Sequence, residues 1–159
     1  MHSRAAELLE ILGMRPHPEG GHYIEVFRSV QRVQVVDRNI ERSALTTIYF
    51  LLAAGESSRW HRVMSDEIWH YHEGDAIELL LFDDRGLRRS RLGPVAGETR
   101  PTIVVPAGVW QAARTTGAYT LVGCTVGPGF EFADFSLLAD APDAASRFRA
   151  RHSDLADLI

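Results

Sequence analysis

Polar and apolar positions change their rhythm twice along this chain. Near the start, Leu8, Leu9, Ile11 and Leu12 recur at helical spacing, with Ser3 placed to cap them and Gly13 to stop them, which predicts one short helix. After the turn residues His17-Pro18-Glu19-Gly20-Gly21 the period falls to two, and Tyr23, Glu25 and Phe27 alternate with Ile24 and Val26 as in a strand. Short β-rich runs then follow one another at Val33 to Val36, Leu45 to Leu52, Arg59 to Val63, Glu67 to His72, Ala76 to Phe82, Thr102 to Val105, Val109 to Ala113, Tyr119 to Val126 and Phe130 to Leu138. Asp83-Asp84-Arg85-Gly86 reads as a hairpin loop and Gly127-Pro128-Gly129 as a breaker. Beyond Pro142 the helical rhythm returns over Ala144 to Arg151, and Ser153 can cap a last short turn. So many short strands without helical crossovers predict an all-β fold with short terminal helices, built as an antiparallel sandwich or barrel.

A chain of 159 residues suits one domain, 1–159, with its core at about 22–138. The composition, 45% hydrophobic and 24% charged, is that of a globular protein with a stable core. A net charge of −4 gives counterion release no driving force, so no nucleic-acid partner is expected, and Arg85, Arg88, Arg89 and Arg91 read as a solvated hairpin face. The one cysteine, Cys124, excludes an intramolecular disulfide and any CxxC site; within its apolar run it reads as a buried structural thiol. The first residues lead into an amphipathic stretch rather than a signal core, and the longest apolar run falls far short of the roughly twenty residues that span a bilayer. A soluble, cytoplasmic protein without a membrane partner is expected.

Candidate chemistry gathers around residue 61. Side chains alternate across a strand, so His61 and Val63 share one face, and Glu67, Trp69 and Tyr71 share one face of the next strand. A carboxylate beside an imidazole fixes its tautomer and raises its basicity, the arrangement a general acid or base needs. The plainer alternative is a hydrogen-bonded polar pair inside a ligand pocket. His70 and His72 fall on the opposite face, outside the barrel, and Trp60, Trp69 and Trp110 read as walls of core or pocket.

The spacing Gly55–x5–His61–x–Val63–x3–Glu67–x6–Gly74, followed by Pro106–x–Gly108–x2–Gln111, resembles the two signature motifs of the cupin superfamily. Members that hold a metal present two His and a Glu from the first motif and a third His from the second; here the positions read His61, Val63, Glu67 and Gln111. Valine offers no donor and glutamine is a poor ligand, so no metal and no other cofactor is expected, His61 and Glu67 being the weak alternative metal pair. Further blocks resemble one branch, the Cupin_5 family (DUF985): His17-Pro18-Glu19-Gly20-Gly21, Thr47 to Leu52, His61-Arg62-Val63 with Ser65 to Trp69, Val105 to Ala112, and Val122 to Val126 running into Pro128-Gly129-Phe130. The resemblance implies a double-stranded β-helix, or jelly roll, that pairs as a homodimer. It also implies a pocket compared with that of metal-free sugar-nucleotide epimerases, which use a His paired with an Asp and a Tyr acid.

Aligned so, the inward set is His61, Val63, Glu67, Trp69, Tyr71 and Gln111, a mixture suited to a small polar ligand. The leading expectation is a metal-independent isomerase, epimerase or lyase acting on a small sugar-like or carbonyl substrate. His61 would be the base, Glu67 its orienting group and Tyr71 the candidate acid. Gln111, Arg62, Trp69, Tyr49 and Trp110 are the candidate substrate-binding residues. The alternatives are a non-catalytic cupin binding a small molecule in the same pocket, and a metal-dependent cupin enzyme.

Overall fold

A computed structural model describes residues 1–159. Its elements are α1 (Ser3–Leu12), β1 (Arg15–Pro16), β2 (His22–Arg28), β3 (Arg32–Val35), β4 (Ile40–Ser43), β5 (Thr46–Ala53), β6 (Ser57–Val63), β7 (Asp66–Gly74), β8 (Ile77–Asp83), β9 (Gly86–Leu92), β10 (Thr102–Val105), β11 (Trp110–Thr115), β12 (Tyr119–Gly127), β13 (Phe135–Leu137) and α2 (Pro142–Arg151), with a closing 3-10 turn at Ser153–Leu158. One sheet has the order β1-β2-β5-β12-β7-β10 and the other β13-β6-β11-β8-β9, while β3 and β4 form a separate ribbon. Every pairing between these strands is antiparallel, and the two sheets face each other as in a jelly roll.

Period-two alternation explains the layers. In β5, Phe50 and Leu52 point between the sheets, where with Trp69, Leu79, Leu81 and Val122 they form the main core. Tyr49 and Leu51 point the other way, under α1, whose Ala5 and Leu8 close a second cluster with Ala53 and Leu121. A third cluster joins Trp60, Leu80 and Ala112 on the far side of the other sheet to Phe148, Leu155 and Leu158 of the C-terminal segment. The short helices therefore exist because each covers an apolar sheet face, not by propensity alone. Gly13 ends α1 in the left-handed region at φ 64°, as its position predicts, but the cap at the other end is His2, whose Nδ1 accepts the Arg4 N–H at 3.2 Å, rather than Ser3.

Three strands escaped the hydrophobic pattern: the two-residue β1, β4 and β9. β9 carries the arginine cluster, and its positions alternate weakly because Arg88 and Arg89 lie along the surface to meet Asp83 at 2.8 Å and Glu78 at 3.0 Å. β4 reads Ile-Glu-Arg-Ser and pairs only with β3. The run Phe130 to Leu138 is not one strand: a 3-10 turn at Phe132–Asp134 interrupts it before β13. The interruption buries Asp134, which accepts from Arg38 at 2.7 Å and Arg42 at 2.8 Å and so ties the β3–β4 ribbon to the body. These arginines, Arg42 first, hold the Asp134 carboxyl below its ordinary range. No helix is long and apolar enough to cross a membrane.

Candidate active site

The sheets close on apolar side chains along most of their length and part at one end around a cavity of about 230 Å³. His61 and Val63 of β6 line it from one side. Glu67 of β7, Cys124 and Val126 of β12, and Thr46, Ile48 and Phe50 of β5 line it from the other. Its mouth is formed by Arg15 of β1, Tyr23, Glu25 and Arg28 of β2, and the segment Phe130 to Phe132. The register explains the grouping, since Val126 lies opposite Glu67 and Gln111 opposite His61.

His61 is only 2% exposed. Its Nδ1 lies 2.8 Å from the Arg59 carbonyl oxygen, which can only accept, so Nδ1 carries a hydrogen and Nε2 of the neutral ring presents its lone pair. Nε2 in turn lies 3.3 Å from Oε2 of Glu19, not from Glu67. Glu19 is 6% exposed, and its other oxygen, Oε1, accepts from Ser58 Oγ at 2.8 Å. The same Oε2 stands 3.3 Å from Nδ1 of His17, a nitrogen that accepts the Glu19 backbone N–H at 3.3 Å. One carboxyl oxygen thus faces two nitrogens that both offer lone pairs, an arrangement that is attractive only when the oxygen carries a proton. Burial works in the same direction. It pushes the Glu19 carboxyl up to about 8, against the opposing Ser58 hydrogen bond and Arg59 charge, and pushes the His17 imidazole down to about 4 with the help of nearby His61. Burial also lowers His61, outweighing the Glu67 charge and the Arg59 carbonyl that favour its protonated form.

Glu67 sits across the cavity in a separate chain of hydrogen bonds. Gln111 Nε2 donates to its Oε2 at 2.5 Å, and Gln111 Oε1 accepts the Trp69 indole N–H at 3.0 Å. The two contacts fix which way the Gln111 amide points. Burial raises Glu67, with His61 and Gln111 opposing and Glu19 adding to the rise. The Cys124 thiol is pushed well above its usual range, chiefly by burial, with the Glu67 and Glu19 charges adding to the rise. It is free and buried as expected, and it also forms cavity wall.

The residues expected around the site divide accordingly. The structure brings His61, Val63 and Glu67 to the cavity and sets Gln111 immediately behind Glu67, with Trp69 behind Gln111. Tyr71 shares the inward face of β7 but lies four residues beyond Glu67, about 13 Å along the strand, and its hydroxyl donates to the Gly74 carbonyl at 2.6 Å. Tyr49 and Arg62 alternate with the cavity residues Ile48 and His61, and Trp110 with the inward-facing Gln111, so all three face outward. Tyr49 packs beneath α1, and the Arg62 guanidinium lies 4.6 Å over the Trp110 ring. These four residues are corrected to positions away from the cavity. His72 is on the outer side, as expected, with its ring 5.6 Å from that of Tyr49.

The residues that replace them come from the stretch read as a turn. His17 and Glu19 enter the cavity because the Gly20-Gly21 corner folds this segment against β6, where the Arg59 N–H donates to the Glu19 carbonyl at 2.8 Å. Gly20, at φ 110°, leaves no room for a side chain, since a Cβ there would stand 2.1 Å from the Ser57 carbonyl oxygen. Two acid-base residue types beside two glycines were the available signal.

The superfamily's metal position does not fit this donor set. Val63 supplies no donor, the Gln111 oxygen is engaged by Trp69, and the His17, Glu19 and His61 side chains, though close, are not arranged as ligands around a common metal position. The cavity holds two imidazoles and two carboxyl groups, side chains able to take and give protons.

Comparison with known proteins agrees with the architecture. The chain resembles a hypothetical protein from Leishmania major, with 29% identity over 98% of this chain and 96% of that one and a TM-score of 0.80. It resembles a protein from Shewanella oneidensis at 31% identity, over 97% and 95% of the two chains, with a TM-score of 0.84. Oxalate decarboxylase from Bacillus subtilis shares the fold alone, at 15% identity over 88% of this chain and 36% of that one and a TM-score of 0.61. No curated protein matches. The family model described as Cupin superfamily (DUF985) matches residues 6–138, which contain both sheets and every cavity residue, and the chain belongs to that family, Cupin_5.

Proposed function

We propose that this cupin is a metal-independent enzyme that moves protons on a small sugar-like or carbonyl substrate, as in an isomerisation, an epimerisation or an elimination. The observation that carries the reading is the His61 Nε2 lone pair opposite a Glu19 carboxyl whose surroundings favour its protonated form, both in one cavity. Near neutral pH the pair offers a base and an acid at once, the division of labour that opposite pKa shifts produce.

A step consistent with this geometry is enolisation. His61 Nε2 takes a proton from the carbon beside the carbonyl, and the electron pair of that C–H bond becomes the carbon–carbon double bond. The carbonyl oxygen takes the Glu19 proton, leaving an enol, an imidazolium and a carboxylate. Return of the His61 proton to a carbon and of the enol proton to Glu19 restores the enzyme, and the carbon that receives the proton decides the product. Arg59 holds the Nδ1 hydrogen and so keeps the reactive nitrogen facing the cavity. A volume of about 230 Å³ lies below the common range for drug-sized ligands and favours a compact substrate.

The test is solvent exchange. A panel of small α-hydroxy carbonyl compounds is incubated in deuterium oxide with the protein or with His61→Gln, and loss of the C–H signal is followed by proton NMR. We expect exchange with at least one compound, abolished in a His61→Gln variant whose amide NMR spectrum shows the fold retained. Exchange that persists undiminished in the variant would remove His61 from the reaction.

A further inference from the structure

The cavity lining contains two guanidinium groups, and their circumstances differ. Arg28 is fully committed: it donates to Glu25 at 2.8 Å and 3.0 Å, to Glu131 at 3.0 Å and to the Phe130 carbonyl at 3.1 Å. Arg15 has no acidic partner and no side-chain hydrogen bond. Its guanidinium carbon lies 5.1 Å from the centre of the Tyr23 ring, which steadies it at the mouth while leaving its N–H donors unused. Strand pairing fixes the arrangement, since Arg15 is the register partner of Tyr23. The Tyr23 ring in turn packs edge-on against His17 at 4.6 Å, so a continuous line runs from Arg15 through Tyr23 and His17 to the Glu19 carboxyl.

We infer that Arg15 is the specificity-determining residue of this cavity and that the substrate is a small organic oxyanion, a carboxylate or a phosphate ester, held with its charged end at the mouth and its carbonyl end toward His61. The inference rests on the catalytic reading above and adds the class of substrate. A planar guanidinium with free donors matches the paired oxygens of either group. The rim carboxylates Glu25 and Glu131 share the Arg28 guanidinium, which offsets one of their two charges, so the uncommitted positive charge at the mouth is that of Arg15. Farther in, burial pushes Glu19 and Glu67 toward their neutral forms, which leaves a polar but weakly charged end for the uncharged part of the ligand.

Binding tests this without requiring turnover. Two matched pairs serve as probes, 2-oxobutyrate against 2-butanone and dihydroxyacetone phosphate against dihydroxyacetone, each titrated into the protein and followed by NMR of backbone amides lining the cavity. We expect at least one anion to bind roughly tenfold or more tightly than its neutral partner. The pair that shows the preference tells carboxylate from phosphate. Arg15→Gln should erase it and Arg15→Lys retain part of it, both at unchanged melting temperature because Arg15 is exposed. Equal binding of anion and neutral partner, including no binding of either, would overturn the assignment. So would a preference that survives in Arg15→Gln and disappears in Arg28→Gln. His61→Gln keeps the anion preference while losing exchange, so failure of the catalytic reading and failure of this one give different results.

Discussion

Nε2 of His61 and Oε2 of Glu19 stand 3.3 Å apart, and the hydrogen on the far side of the imidazole is already taken by the Arg59 carbonyl. The proton between the two groups therefore has to come from Glu19. Replacing Glu19 by Gln keeps an N–H donor toward Nε2 but provides no proton that can leave at neutral pH. We expect Glu19→Gln to retain ligand binding and to lower the exchange rate about 10²–10⁴-fold, the usual contribution of a positioned acid or base. Single-turnover exchange at saturating ligand measures this, and a rate within a factor of about three of the unaltered protein would contradict it.

The buried groups also impose opposite pH dependences on stability. Glu19 moves from 4.5 to about 8 on folding, so between those values the folded state holds a proton that the unfolded chain has released, and stability falls as pH rises. His17 moves from 6.5 to about 4, so there the unfolded chain holds the extra proton, and stability is lost as pH falls from 6.5 through 4. Below pH 6.5 the two effects oppose each other; between 6.5 and 8 the Glu19 decline acts without opposition from His17. Urea denaturation across pH 4 to 9 should show stability declining from about pH 6.5 to 8, and Glu19→Gln should flatten that decline by roughly a few kcal/mol. A slope unchanged in the variant would mean that Glu19 ionises normally in the folded protein.

Gln111 is the link between Trp69 and Glu67, and it is 1% exposed. Gln111→Leu fills similar space but leaves a buried indole N–H and a buried carboxyl each short of a partner. We expect a loss of about 2–4 kcal/mol in denaturant unfolding, from two unsatisfied buried groups. In a double-mutant cycle with Trp69→Phe, the double variant should lose less stability than the sum of the two single variants. A coupling of zero would show that the Trp69 contact contributes nothing.

The donor-set argument has its own test. Val63 faces the cavity between His61 and Glu67, so Val63→His supplies the missing third donor of the superfamily's metal position. Calorimetric titration with Ni²⁺ or Zn²⁺ should give at least roughly tenfold tighter binding in Val63→His than in the unaltered protein. Equal affinity would mean that the ion is held elsewhere or already well held.

Much of the architecture could be read from alternation, because strands such as β5, β8 and β12 must bury one face. β9 could not, since arginines paired along the surface hide its period, and neither could β4, which pairs with a single neighbour. At the site, alternation placed His61, Val63 and Glu67 correctly, and the same parity applied one residue on excludes Arg62, Trp110 and Tyr49. Tyr71 shows what parity lacks: it names a face but not a depth along the strand. Glu19 was hidden for another reason. Gly20 and Gly21 signal a turn, and nothing local says that the turn folds back against β6, because that depends on the contact between Glu19 and Arg59, forty residues apart.

The most direct measurement is the ionisation state of Glu19 in the folded protein, followed by the carboxyl carbon shift of labelled glutamate, assigned with Glu19→Gln, together with the ring nitrogen shifts of His61. The expected result is a Glu19 midpoint near 8 and, at pH 7, a neutral His61 ring with hydrogen on Nδ1. A Glu19 midpoint near 4.5 with a doubly protonated His61 at pH 7 would contradict the account.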